Sequence, residues 1–126
     1  MFTPFRILTA LALGLLSNGF ALAQAVTFVS TQADWKLFRG TTSPSPGSPL
    51  GWTQRTFNDT SWTTEKATFF YGEEGYSGTD LTGMSGAYNT IFLRHRFSIV
   101  DPKKVSELEL RVVCDDGFVA YLNGQR

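Results

Sequence analysis

The stretch SELELRVVCDDGFVAYLNG, residues 106–124, decides the fold class that the sequence predicts. Apolar and charged side chains alternate through residues 106–114, and this period of two is typical of a strand with one buried face. The side chains predicted to face inward are Leu108, Leu110, Val112 and Cys114. Residues 118–122 are apolar on both faces, as expected of a central strand, and Asn123-Gly124 is a strong hairpin-turn signal. The stretch predicts two strands joined by an Asp-Asp-Gly turn.

Strand signals extend back along the chain from this stretch. The other predicted strands are residues 26–30, 34–38, 67–72 and 90–99. Two long loops, 39–51 and 73–89, interrupt them with Gly, Pro, Ser and Tyr. No helical period persists after residue 24. The sequence therefore predicts an all-β fold of six or seven short strands arranged as a sandwich.

Residues 57–62, FNDTSW, are predicted to form a compact turn with aromatic ends. The four central side chains are Asn, Asp, Thr and Ser, which hydrogen-bond the local backbone and fold it back sharply. The aromatic residues predicted to lie in the core are Trp35, Phe57, Trp62, Phe97 and Phe118. The turn is therefore expected to be fixed to the core at both of its ends.

The first 23 residues have the order of a secretory signal peptide. Arg6 precedes the apolar run ILTALALGLL, and Ala21-Leu22-Ala23 supplies a small-x-small cleavage site. The run is shorter than the roughly 20 residues that span a bilayer, and a buried N-terminal helix is the alternative. The sequence predicts cleavage after Ala23, no membrane span in the mature chain, and a secreted, periplasmic or cell-surface location.

Charge narrows the class of partner. The 11 Lys and Arg residues balance 11 Asp and Glu residues, and loss of Arg6 with the leader would make the net charge slightly negative. A near-neutral chain lacks the basic stripe that binds nucleic acid and the polybasic patch that binds anionic lipid. No nucleic-acid partner is expected.

The order of these elements resembles the galactose-binding-domain-like jelly rolls of large secreted bacterial proteins, among them the sugar-binding domain of β-galactosidase-type glycoside hydrolases. In that family an aspartate-rich turn ending in Trp precedes an Arg-containing strand, and a later strand ends in Asn-Gly. The matching segments here are FNDTSW, FLRHRFSI and DDGFVAYLNG, and the resemblance covers residues 33–126. It implies a jelly-roll β-sandwich. Because such domains continue past the Asn-Gly turn, it also implies that residues 24–126 are an incomplete domain without its C-terminal strands, in a longer parent chain with further domains.

Aromatic and polar residues of the two long loops are the candidate ligand residues. Sugar sites stack flat rings on pyranose faces and add a few polar partners for the hydroxyl groups. The candidate rings are Trp52, Tyr71, Tyr76 and Tyr88, and the candidate polar partners are Arg55, Asp80 and Asn89. The alternative is that these aromatic rings cap the ends of the sandwich. The expected partner is a carbohydrate or a cell-surface glycan.

Residues for catalysis are sparse. His95 is the single histidine, and its position on the apolar face of a predicted strand favours a structural role over a Ser-His-Asp set. Asp115 and Asp116 are weak candidates for calcium ligands, although Asp-Asp-Gly is also what a hairpin turn requires. Cys114 is the single cysteine and is predicted to be a small buried hydrophobe. No enzyme activity is expected of this chain, and no cofactor beyond a structural calcium.

Two functions therefore follow as hypotheses. The first is a non-catalytic carbohydrate-binding or surface-interaction module of a secreted protein. The second is the accessory N-terminal domain of a secreted hydrolase whose catalytic part lies outside this chain. A purely structural spacer is a third hypothesis.

Overall fold

The computed structural model describes residues 25–115 and 117–126. The predicted signal peptide therefore lies outside the described residues. The strands are β1 (Asp34–Arg39), β2 (Thr63–Lys66), β3 (Phe69–Phe70), β4 (Thr79–Asp80) and β5 (Ile91–Arg94), and the two 3₁₀ helices are Gly51–Thr53 and Pro102–Lys104. Strand dominates over helix in this part of the chain, which agrees with the predicted all-β class. Over the same residues no helix is long and apolar enough to cross a bilayer.

β1 is the central strand of a three-stranded antiparallel sheet in the order β2-β1-β5. Its register places Phe38 opposite Phe92 on one face and Leu37 opposite Leu93 on the other. β3 and β4 form a separate parallel pair. The predicted strand at 34–38 is therefore confirmed, and it supplies the middle of the larger sheet.

An aromatic cluster covers the Phe38 face of this sheet. Its members are Phe38, Trp52, Phe57, Trp62, Phe92 and Tyr121. Trp62 is the most buried of them at 5% exposure, and its ring centroid lies 5.4 Å from that of Phe38. Ring pairs at such separations add about 0.5–1.5 kcal/mol each beyond their buried area. On the other face Leu37 is only 1% exposed, so the two faces of β1 are buried by different groups.

Three predicted strands are absent from the described structure. Residues 26–30, 106–114 and 118–122 form no strand in it, so those predictions were wrong. The exposed apolar side chains of the last two segments are Leu108, Leu110, Val112, Val113, Phe118, Val119 and Leu122. Cys114 is exposed as well, so its predicted burial, like the predicted core position of Phe118, was wrong. Alternation predicts which face a strand would bury, but a strand also needs a hydrogen-bonded neighbour.

The boundaries of other predicted strands also change. The strand predicted for 67–72 is reduced to β3, and the one predicted for 90–99 is reduced to β5. β2 was missed, because its sequence TTEK lacks the apolar alternation that marks a strand. It forms by pairing with β1, with Leu37 opposite Thr63. Tertiary pairing here overrides local pattern.

The hairpin turn at Asn123-Gly124 is confirmed. Leu122 N donates to Gln125 O at 2.8 Å, and Gln125 N donates back to Leu122 O at 3.1 Å. Both central residues have positive φ, 52° and 85°, as a type I′ turn requires. Only this single bridge pairs residues on either side of the turn.

Candidate functional site

The FNDTSW turn folds as its side chains predict. Asn58 Oδ1 accepts hydrogen bonds from the Thr60 backbone at 3.1 Å and from its hydroxyl at 2.8 Å. Trp62 N donates to Asp59 O at 3.1 Å. The chain reverses within six residues, so Asp59 is brought under the sheet with its carboxylate 11% exposed.

Arg94 of β5 binds that carboxylate. Its Nε donates to Asp59 Oδ2 at 2.8 Å, and only 10% of the arginine side chain is exposed. A second guanidinium nitrogen donates to the carbonyl oxygen of Trp52. The guanidinium carbon also lies 5.2 Å from the centroid of the Phe57 ring. One arginine therefore joins β5, the turn and the loop that carries Trp52.

Two further cations bind the same turn. Arg96 donates to the carbonyl oxygen of Phe57 at 3.1 Å and lies 3.5 Å from Asp59 Oδ2. Lys36 of β1 donates to the carbonyl oxygen of Trp62 at 3.4 Å. We call Lys36, Asp59, Arg94 and Arg96 the Asp59 clasp. It fastens both ends and the middle of the turn to the sheet.

The clasp also changes the acidity of its carboxyl group. Burial acts to raise the pKa of Asp59, but the hydrogen bond and positive charge of Arg94, helped by Arg96, outweigh it. The pKa of Asp59 therefore lies below its ordinary value, and the carboxylate stays ionised through the neutral range. Asp59 is thus a fixed anion and a poor proton donor.

A cleft of about 230 Å³ opens beside the clasp, at the start of β1. Its other lining residues include Asp34, Trp35 and His95. His95 Nδ1 lies 2.9 Å from Asp34 O, and its ring centroid lies 5.0 Å from that of Trp35. These contacts satisfy the histidine within the fold. The charged side chains around the cleft mostly bind one another. They therefore hold the turn in place.

The structure separates the seven predicted ligand residues. Trp52 belongs to the aromatic cluster, with its ring 5.2 Å from Phe92 and 5.7 Å from Tyr121. It is half-buried, so the capping alternative describes this residue better than ligand stacking does. Arg55 is exposed on the loop that follows the first 3₁₀ helix.

Tyr88 and Asn89 line a second, open cleft of about 360 Å³ together with Gly40. Tyr88 is half-buried, and its hydroxyl is buried without a hydrogen-bond partner within the described part of the chain. Asn89 is exposed and accepts a hydrogen bond from Thr90 Oγ1 at 3.3 Å. The buried hydroxyl shows that the end of the Tyr88 ring points into the protein rather than into solvent.

Tyr71, Tyr76 and Asp80 all belong to the β3–β4 unit or the loop that joins its strands. Tyr71 directly follows β3 and is 46% exposed, and Tyr76 is 59% exposed. The Tyr76 ring lies tilted against Phe70, with the ring centroids 5.8 Å apart, and Phe70 is paired with Asp80 of β4. We call Tyr71, Tyr76 and Asp80 the tyrosine surface. Of the predicted residues, these three place two exposed rings and one carboxylate on a single small unit of the fold.

Metal binding receives no support from the described residues. Among them no group of three or more His, Cys, Asp or Glu side chains is arranged to hold an ion. Asp116 lies outside the described residues, and Asp115 O accepts a hydrogen bond from Cys114 Sγ at 3.2 Å. The calcium site expected at Asp115 and Asp116 stays a prediction.

Sequence reasoning missed the clasp as a unit. The alternation of 90–99 placed Arg94 and Arg96 on one face, and the turn was expected to pack on the core. The signal that joins them is charge: an arginine packed near the core needs an anion beside it, and Asp59 lies between Phe57 and Trp62, which were predicted to be core residues. Charge balance across predicted elements would have joined the two.

Comparison with known proteins gives no match: no family model, no curated protein and no solved structure matches this chain.

Proposed function

We propose that this chain is a non-catalytic carbohydrate-binding or surface-interaction module that binds glycans at the tyrosine surface. The observation that carries the proposal is that two exposed rings, Tyr71 and Tyr76, belong to the same small β3–β4 unit as Asp80. Exposed aromatic side chains in a group are uncommon on a protein surface without a ligand to cover them. The ring faces match the apolar faces of pyranoses, and the carboxylate accepts from sugar hydroxyls.

Hydrogen bonds within the β3–β4 unit and to β2 support such a role, because they fix the backbone that carries the tyrosine surface. β3 and β4 are short, but Leu81 N donates to Phe70 O at 2.7 Å and Thr79 N donates to Thr68 O at 2.7 Å. Thr79 Oγ1 donates to Lys66 O at 2.7 Å, which ties β4 to the end of β2. A pre-organised ring loses less freedom when it binds, which favours weak but useful affinity.

The proposal extends to the wider architecture and location. The clasped aspartate turn, the arginine strand and the confirmed Asn-Gly turn are the features that resemble galactose-binding-like jelly rolls, so we assign the strands to a sandwich of that type. The leader order at residues 1–23 assigns the module to the outside of the cell. Intact-mass analysis of exported protein should give Gln24 or a near neighbour as the first residue, and retention of Met1 would contradict secretion by this route.

The test of binding is titration against a broad panel of soluble glycans and pull-down on insoluble polysaccharides. We expect dissociation constants in the range of about 1 μM to 1 mM. Tyr76→Ala and Asp80→Asn should each weaken binding without changing the unfolding midpoint. Phe118→Ala is the matched control, because Phe118 is 57% exposed but lies outside the tyrosine surface.

Two outcomes would contradict the proposal. The first is an equal loss of binding in Phe118→Ala and Tyr76→Ala, which would point to nonspecific apolar adsorption. The second is the absence of binding across the whole panel by protein that unfolds cooperatively, which would favour the spacer hypothesis.

A further inference from the structure

Residues 106–114 present an apolar strip that nothing in the described structure covers. Leu108 is 45% exposed, Leu110 is 64% exposed and Val112 is 45% exposed. Spaced two residues apart, they would share one face of an extended segment. We call this segment the exposed strip. Adjacent exposed apolar side chains are typical of a surface that binds a partner.

The backbone of the exposed strip is open to pairing as well. No backbone hydrogen bond joins residues 106–114 to another strand in the described part of the chain. An extended segment with open N–H and C=O groups is a template for another strand. Both the side chains and the backbone of the strip therefore suit addition of a strand.

The sequence of the strip is complementary to itself when it is read in the antiparallel direction. With Leu110 at the centre, Leu110 lies opposite Leu110 and Leu108 lies opposite Val112. On the other face, each Glu109 lies opposite an Arg111. Each Glu107 lies opposite Val113, which is fully exposed in the single chain. The register therefore buries six apolar side chains together and places opposite charges across from each other twice.

Side-chain contacts within one chain agree with this assignment of faces. Arg111 Nε lies 2.9 Å from Glu109 Oε1, and the two side chains are 82% and 58% exposed. Their charges are thus already on one side of the strip, away from the leucines. In the paired form each carboxylate could be shared between its own arginine and that of the second copy.

Other registers are worse. Centring the antiparallel pair on Glu109 or on Arg111 places like charges directly opposite each other, which is destabilising. A parallel in-register pair does the same at both positions. A shift by one residue turns apolar side chains against charged ones. The charge pattern therefore selects one arrangement.

We propose that residues 106–114 bind the same residues of a second copy of this chain as an antiparallel ladder, with a two-fold axis at Leu110. The interface is isologous, as closed dimers require. Because a nine-residue ladder is small, the dimer lies at the weak end of specific interfaces and depends on protein concentration. It is independent of glycan binding at the tyrosine surface.

Charge reversal tests the register. Glu109→Arg and Arg111→Glu should each abolish the dimer in sedimentation, because each variant places like charges across the axis. A one-to-one mixture of the two variants should dimerise again, since each chain then meets its complement. Contacts within one chain cannot explain this rescue, because both variants have like charges at 109 and 111.

Disulfide trapping fixes the geometry. Opposite Cα atoms in an antiparallel pair lie about 4.5–5.5 Å apart, which suits a disulfide. Leu110→Cys in a Cys114→Ser background should cross-link 110 to 110, and Ser106→Cys should cross-link to the native Cys114 of the other copy. Lys103→Cys with Cys114→Ser is the control, because position 103 lies far from the axis and should remain reduced.

Several results would overturn the proposal. One is a wild-type chain that is monomeric up to about 1 mM. Another is a dimer that persists in both charge variants. A third is disulfide cross-linking at position 103 equal to that at position 110. A monomer whose residues 106–114 are protected from hydrogen exchange would show that the strip docks on its own chain, and this too would overturn it.

Discussion

Two ion pairs of almost the same length lie in opposite surroundings. Arg94 Nε is 2.8 Å from Asp59 Oδ2, and Arg111 Nε is 2.9 Å from Glu109 Oε1. The first pair is about 10% exposed at each side chain, and the second is 82% and 58% exposed. The first joins residues 35 positions apart in sequence, whereas the second joins near neighbours. The two pairs have almost the same length and differ in burial, so any difference in their contribution to the free energy of unfolding comes from burial.

Removing one partner of a buried ion pair should lower the free energy of unfolding more than removing one partner of an exposed pair. A buried charge left alone loses both its hydration and its counter-ion, whereas an exposed charge returns to water. In the clasp the loss would extend further, because Arg94 also binds the carbonyl oxygen of Trp52 and the ring of Phe57. The exposed pair fixes no second element. The clasp should therefore behave as part of the core and the other pair as surface.

The largest effect is expected from Asp59→Asn. It leaves Arg94 buried without a counter-ion, and we expect the free energy of unfolding to fall by about 3–5 kcal/mol. Urea denaturation followed by tryptophan fluorescence measures it, because Trp62 is the last residue of the turn and its ring packs against Phe38. Asp101→Asn is the control, since its contact with Lys104 is 3.9 Å long and exposed. Equal losses in the two variants would show that burial does not set the contribution of these ion pairs.

Gly40→Ala should give the next largest effect. Gly40 N donates to Thr90 O at 2.9 Å just beyond the β1–β5 ladder, and an added Cβ would lie 2.6 Å from that same oxygen. The backbone would have to move apart, at a cost of about 1–3 kcal/mol. Gly117→Ala is the control, because a Cβ there meets nothing within 4 Å. A midpoint in Gly40→Ala equal to that of the control would show that the sheet ends before Gly40.

The clasp should also make the free energy of unfolding depend on pH. The pKa of Asp59 is lowered in the fold, while the unfolded chain has a value of about 3.9. The stabilisation is therefore complete above about pH 4 and is lost as pH falls through the folded value. The loss at pH 3 should be smaller than in Asp59→Asn, because a carboxyl group whose pKa is lowered is only partly protonated there. Denaturation midpoints between pH 7 and pH 3 should fall less in Asp59→Asn than in the wild type, and parallel curves would contradict this origin.

The sequence predicted the turn, the central strand and the Asn-Gly hairpin because each depends on local chemistry. Asn58 caps its own turn, and Asn123-Gly124 adopts positive φ without help from distant residues. The prediction of a buried strand failed for residues 106–114. Alternation shows which face a strand could bury, but it does not show whether another part of the chain packs on that face. The sequence also failed to place Trp52, whose loop position concealed contacts with Phe92. The sequence could not predict that three of the proposed ligand residues share the β3–β4 unit. That unit depends on parallel pairing of two separate segments, which no local pattern reveals.

The smallest effect is expected from Glu109→Gln, the surface counterpart of Asp59→Asn. Each change replaces one carboxylate by its amide and leaves an arginine behind, so the side-chain chemistry is matched and the surroundings differ. Arg111 is 82% exposed and would be rehydrated at once, so the free energy of unfolding should change by less than about 1 kcal/mol. Dilute protein is required, so that association of the exposed strip does not contribute. A loss in Glu109→Gln as large as in Asp59→Asn would show that residues 106–114 are packed in dilute solution and that this ion pair is buried there.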